Sequence, residues 1–217
     1  MTIEDPVEYR VVGLDQIEIN PRAGLTFASG LRTILRSDPD TVLVGEIRDE
    51  ETAEIAFRAA MTGHLVLTTL HAQTASAAMQ RLIDIGIDHS IIASSVNCFV
   101  AQRLLRRLCV HCREPYAPDE DAVRGLGIPG GMAQLTLHRA VGCRECNEIG
   151  YKGRAAAFEV LTMTDPIAAL IGASSREIES MAIAEGMLTL REDGVRLAVG
   201  GVTSLEEVRR VLGSIGG

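Results

Sequence analysis

The 217-residue chain has room for one large domain or two small ones. Its 47% hydrophobic and 3% aromatic residues point to a globular, aliphatic, helix-rich core. A formal net charge of −8 argues against a general nucleic-acid surface, because phosphate binding rests on clustered Lys and Arg. No apolar stretch approaches the roughly 18 residues that a membrane span needs. The first residues carry Glu4, Asp5 and Glu8 where a signal peptide would be apolar, so a cytosolic setting is expected.

Along the chain, TIEDPVEY and QIEIN read as short strands and residues 26–36 as a helix. TVLVGEI (41–47), preceded by the turn-forming Asp38-Pro39-Asp40, reads as a buried parallel strand. The next segment has Asp49 as a cap, Glu50 and Glu51 in the first turn, and Ile55, Ala56, Ala59 and Ala60 at helical spacing up to Gly63. HLVLTTL follows as a second strand, apolar in its middle as expected for burial on both faces, and Thr74 caps the helix ASAAMQRLIDIG. Strand, helix, strand in this order predicts a βαβ unit with a right-handed crossover. Residues 90–107 read as one helix with Cys98 on its apolar side.

In a parallel α/β sheet, ligands bind beyond the carboxyl ends of the strands. Three of these strands end in polar groups: Glu4-Asp5, Glu46, and Thr68, Thr69 and His71. Each alone is an ordinary cap or loop residue. Together they suit phosphoanhydride hydrolysis, in which carboxylates hold Mg²⁺ and orient water while imidazole and guanidinium groups meet the γ-phosphate.

TIEDPVEY, GLTFASGLRTILRSDPDTVLVGEIRD and TGHLVLTTLHA resemble the aspartate box, Walker B region and histidine box of the ATPases that power type II secretion and type IV pilus assembly. The resemblance continues through AQRLLRRLC, the cysteine pairs, GRAAAFEVL and EGMLTLREDGVRLAVGGVTSLEEV, and so covers essentially the whole chain. It implies a partial RecA-like core, a tetracysteine zinc module and a helical C-terminal subdomain, belonging to a homo-hexamer that works with inner-membrane platform or adaptor proteins. It also implies roles by position. Glu46 polarises the attacking water, and Glu4 and Asp5 lie near the metal. Arg32 and Arg36 contact nucleotide phosphates, His71 lies by the γ-phosphate, and His64 is its partner at the strand's start. Ser29 stands where that family usually has a third arginine. From the residues alone, His64 lies at the opposite end of the strand from His71, about 23 Å away if extended, where it serves an interface or the fold.

A phosphate-cradling G-x-x-x-x-G-K-[ST] loop is not present in the sequence, whose one lysine is Lys152 in GYKGR. The resemblance puts that loop ahead of the aspartate box. The expectation is a portion of a motor that neither binds ATP tightly nor hydrolyses it by itself.

Cys109-x2-Cys112 and Cys143-x2-Cys146, thirty residues apart, suit tetrahedral Zn²⁺, since each tight turn presents two thiolates. A Gly- and Pro-rich loop over 118–131 is expected to bulge between the pairs, while His111 and His138 are reserve ligands. Arg103, Arg106, Arg107 and Arg113 form a basic patch beside the knuckle. A structural or docking role is favoured over nucleic-acid binding, because stacking aromatics are missing and acids fill 119–121. The expected divisions are residues 1–89 as core, 90–108 as connecting helix, 109–160 as zinc module and 161–217 as helical subdomain. In the last of these, Asp165, Ser174 or Ser175, and Ser204 are candidate N-caps, Ser204 with Glu207 at capping-box spacing.

Overall fold

Four short strands, β1 (Thr2–Glu4), β2 (Gln16–Glu18), β3 (Thr41–Val44) and β4 (Leu65–Thr68), form a parallel sheet in the order β2-β1-β3-β4. The computed structural model describes residues 1–119 and 135–213. Around the sheet lie α1 (Phe27–Ile34), α2 (Glu50–Met61), α3 (Ala75–Ile85) and α4 (His89–Ser95). The β3-α2-β4 unit is the expected βαβ. Asp49 caps α2 by accepting from Thr52 N at 2.8 Å, and Thr74 caps α3 by accepting from Ala77 N at 3.2 Å.

Two glycines let this layer close. A Cβ on Gly30 of α1 would lie 2.1 Å from Ile3 Cδ1, so with glycine there α1 settles on the fully buried Ile3 without moving that side chain. Gly45, just past β3, donates to Ile3 O at 2.7 Å, and a Cβ there would meet that oxygen at 3.2 Å. The acidic ends of β1 and β3 are thereby brought side by side. Ser29, in place of an arginine, closes a capping box with Thr26: Thr26 N donates to Ser29 Oγ at 2.9 Å and Ser29 N to Thr26 Oγ1 at 3.2 Å. The helix expected over 26–36 ends at Ile34 and tightens into a 3-10 turn, Leu35–Ser37.

Two expectations are corrected here. β4 is not covered on both faces: Leu65 is 49% and Leu67 47% exposed, both on one face of the strand, and among the described residues β4 pairs only with β3 at the sheet edge. The helix expected over 90–107 exists only as α4; the chain then runs as a strand, β5 (Cys98–Leu108). Phe99, Ala101 and Leu105 are buried, while Cys98, Val100, Gln102 and Leu104 are exposed, a period of two. Cys98 is therefore not a core residue.

A partner strand explains the change. β8 (Tyr151–Thr162) pairs with β5, Met163 N donating to Asn97 O at 2.9 Å and Cys109 N to Gly150 O at 3.0 Å, which sets the two antiparallel. Tertiary pairing thus overrides local helix propensity. The short β6 (Glu114–Tyr116) and β7 (Leu137–Arg139) make a second antiparallel pair. Most of the expected loop over 118–131, with two of the three acids at 119–121, lies outside the described residues.

The C-terminal part is helical: α5 (Asp165–Ala168), α6 (Ser175–Ala184), α7 (Leu190–Val199) and α8 (Leu205–Leu212). Thr164, rather than Asp165, caps α5, and Ser174 caps α6 in a reciprocal pair with Glu177. The chain separates into two compact units: Met1–Phe99 with Thr162–Met181, and Val100–Leu161 with the segment from Ala182 onward. The first holds the parallel sheet and the second the four cysteines Cys109, Cys112, Cys143 and Cys146.

Within the second unit Glu207 is fully buried. Burial would push its carboxyl up, but guanidinium hydrogen bonds from Arg210 and Arg106, with the Arg106 amide, hold it down at about 2. Arg106 also stacks on Tyr151, with its Cζ 4.1 Å from the ring centroid. Ser204 accepts from Glu207 N at 3.1 Å, so half of the expected capping box forms; the other half is lost because the Glu207 side chain turns inward to the arginines.

Candidate functional site

Glu46 leaves the end of β3 with its side chain 14% exposed and both carboxylate oxygens engaged. Arg48 Nη2 lies 2.5 Å from Oε1, and His71 Nε2, arriving from beyond β4, lies 3.1 Å from Oε2. The Arg48 guanidinium holds the Glu46 carboxyl below the usual carboxylate range; partial burial opposes this and His71 reinforces it. Asp5, at the end of β1, is also within the field of Arg48 and with Glu46 raises that guanidinium further. Thr69 tightens the β3–β4 end, its Oγ1 donating to Gly45 O at 2.6 Å and its carbonyl accepting from Ile47 N at 3.2 Å. The arrangement puts a guanidinium and an imidazole on the two oxygens of one carboxylate at the ligand-binding edge of a parallel sheet.

The other candidates stand apart from that trio. Glu4 Oε1 accepts from Thr2 Oγ1 at 2.5 Å and from Gln16 Nε2 at 3.0 Å, and those hydrogen bonds lower its pKa. Arg32 is exposed and pairs with Glu51 at 2.7 Å. Arg36 is exposed on the 3-10 turn. Among the described residues no ion pair or hydrogen bond joins Glu4, Arg32 or Arg36 to Glu46. His64 Nδ1 lies 3.0 Å from Ala59 O and 3.1 Å from Thr62 Oγ1, so it closes the C-terminus of α2 at the other end of β4. Arg48, beside Glu46, has no role in the motif resemblance. The signal for it was the spacing: with Ile47 buried, positions 46 and 48 emerge on one side.

In the second unit the four sulfurs of Cys109, Cys112, Cys143 and Cys146 lie within 4.8 Å of one another. Cys109–Cys143 is 3.9 Å, and Cys112–Cys146 and Cys143–Cys146 are each 3.8 Å. A tetrahedron with metal–sulfur arms of about 2.3 Å has edges of about 3.8 Å, so this is the spacing of a metal cage, and far from a disulfide.

Amides point at the sulfurs as thiolate ligation requires. Gly142 N donates to Cys112 at 3.4 Å, Cys143 N to Cys146 at 3.2 Å and Gly150 N to Cys146 at 3.2 Å. Burial alone would push the Cys146 thiol up, yet the two amides bring it down to about 7. Burial dominates at Cys143, which is pushed up to about 12. A cation fits this donor set, and neither His111 nor His138 belongs to the cluster.

Two arginines of the expected basic patch are committed internally. Arg106 is bound by Glu207, and Arg113 donates to Gly201 O.

The parallel α/β fold has counterparts among solved ATPases. The pilus retraction motor PilT with bound ADP is 29% identical and superposes with a TM-score of 0.65, over 96% of this chain and 51% of that one. The Legionella pneumophila ATPase DotB, 21% identical at a TM-score of 0.63, shares the fold over 96% of this chain and 50% of its own.

The chain belongs to the family described as Type II/IV secretion system protein, whose pattern matches residues 1–210. It is 48% identical over 210 residues to the type IV pilus assembly ATPase PilB of Thermus thermophilus, covering 95% of this chain and 24% of that protein. It is equally 48% identical over 213 residues to the type II secretion system protein E of Pseudomonas aeruginosa, covering 97% and 42%. The chain thus spans less than half the length of these curated relatives.

Proposed function

We infer that this chain is part of a hexameric ATPase that hydrolyses ATP to power type II secretion or type IV pilus assembly. The observation that carries the reading is the meeting of Glu46 and His71 at the carboxyl ends of β3 and β4. In that reading Glu46 polarises the attacking water, and His71 meets the γ-phosphate. Glu4 and Asp5 serve the Mg²⁺ ion, while Arg32 and Arg36 approach the phosphates. His64, in the phosphate set by resemblance, serves the fold at the end of α2. The relatives are named for secretion and for pilus assembly at the same identity, so either machine suits the chain.

The sequence has no phosphate-cradling loop, and its single lysine lies on β8. The 217-residue polypeptide is therefore inactive alone, and catalysis belongs to a longer chain. Purified polypeptide with Mg²⁺ and ATP is expected to show no turnover above a buffer control; appreciable Mg²⁺-dependent turnover contradicts this.

Cys109, Cys112, Cys143 and Cys146 hold a structural Zn²⁺, which would cross-link β5 to the turn preceding β8. Among the described residues no helix is long and apolar enough to cross a membrane. Attachment to an inner membrane from the cytoplasm then runs through platform or adaptor proteins.

A second reading takes the chain as a zinc-stabilised docking module. The inward commitment of Arg106 and Arg113 favours that over a nucleic-acid surface. A mobility-shift titration at low salt separates the two, since saturable binding weakened by Arg107→Glu, at an exposed residue of the patch, supports nucleic acid.

A further inference from the structure

The Glu46–Arg48 pair is not explained as a source of stability. The Arg48 side chain is 60% exposed, and an ion pair that open to water contributes little to folding. What it does is geometric. Ile47 is buried and pins the backbone after β3, so Glu46 and Arg48 leave it on the same side. Glu46 is mostly enclosed, and its other partner, His71, is 84% exposed and lies 3.1 Å from it, against 2.5 Å for Arg48. Arg48 is therefore the firmer of the two restraints on the carboxylate. Asp5, from the end of β1, lies in the same field.

We propose that Arg48 is a positioning residue for Glu46: it anchors Oε1 and so keeps Oε2 turned toward His71 and the space beyond β4. This rests on Glu46 being the water-polarising group. The role asks for a planar fork with delocalised charge. Lysine, a compact point charge on a flexible stem, would fill it only in part.

Two measurements test the assignment. In the 217-residue protein, the Glu46 carboxyl carbon is titrated by ¹³C NMR, with Glu46→Gln identifying the resonance. Arg48→Ala is expected to raise the Glu46 midpoint at an unchanged melting temperature, and Arg48→Lys to give an intermediate value. In a full-length motor carrying this segment, Arg48→Ala is expected to lower kcat between about ten- and a hundredfold, as loss of alignment does. KM for ATP should stay within about twofold, with partial rescue by Arg48→Lys.

An unmoved Glu46 midpoint in Arg48→Ala overturns the proposal, as does a raised KM with kcat intact, which would make Arg48 a phosphate contact instead. Full turnover in Glu46→Gln sinks the water-polarising reading separately, while the NMR result still reports on the Arg48–Glu46 contact.

Discussion

Glu207 and Arg106, 101 residues apart in sequence, are joined by three hydrogen bonds, from the Arg106 amide at 3.0 Å, Nε at 3.0 Å and Nη2 at 2.6 Å. With Arg210 on the same carboxylate at 2.6 and 2.7 Å, this contact ties α8 to β5 within the unit that carries the cysteines. Removing the acid strands two guanidinium groups and an amide, whereas a paired buried acid keeps its place. Glu207→Ala is expected to lower the stability of this unit by about 3 kcal/mol, read by urea unfolding. A loss within error of zero would show that water replaces the carboxylate without penalty.

The same acid sets a pH dependence. Its pKa is lowered on folding from 4.5 to about 2, so its stabilisation is fully present above pH 4.5 and is lost as pH falls toward 2. The shift corresponds to about 3 kcal/mol. Unfolding of the wild type and Glu207→Gln should therefore differ most at pH 6 and converge as pH approaches 2. A difference that stays constant from pH 6 to 3 would contradict the assignment.

The sulfur cage makes a stoichiometric prediction. Native protein should contain one zinc per chain, and Co²⁺ replacement should give the absorption bands of a tetrahedral tetrathiolate. A chelator strong enough to strip the metal should lower the melting temperature. Cys143→Ser and Cys146→Ser should each lose tight binding.

Gly142 offers a subtler variant of the cage. Its φ is +119°, and a Cβ there would lie 2.7 Å from Glu148 O, while its amide donates to Cys112. Gly142→Ala should weaken metal affinity about 10- to 100-fold, the range for losing a supporting contact. Unchanged affinity would mean that the amide does not tune the thiolate.

Much of the first unit was legible because local signals and tertiary environment agree there. TVLVGEI is a buried run that becomes β3, and Asp49 and Thr74 cap the helices they precede. The cysteine spacing led directly to the sulfur cluster. The stretch after His89 was not legible in the same way, because leucines and arginines from 101 to 108 carry helix propensity while the deciding partner, β8, lies some fifty residues on. β4 looked doubly buried because an apolar run says nothing of its place in the strand order. Arg48 had no assigned role because its meaning depends on which way Glu46 turns, and no motif encodes that.

The central claim is that Glu46 does the chemistry for a motor to which this segment belongs. The most direct test is steady-state ATP hydrolysis by a full-length chain carrying the segment, comparing wild type with Glu46→Gln at equal zinc content and equal melting temperature. Mg²⁺-dependent turnover is expected in the wild type, with a loss of at least about a hundredfold in the variant. Undiminished turnover in Glu46→Gln would contradict it.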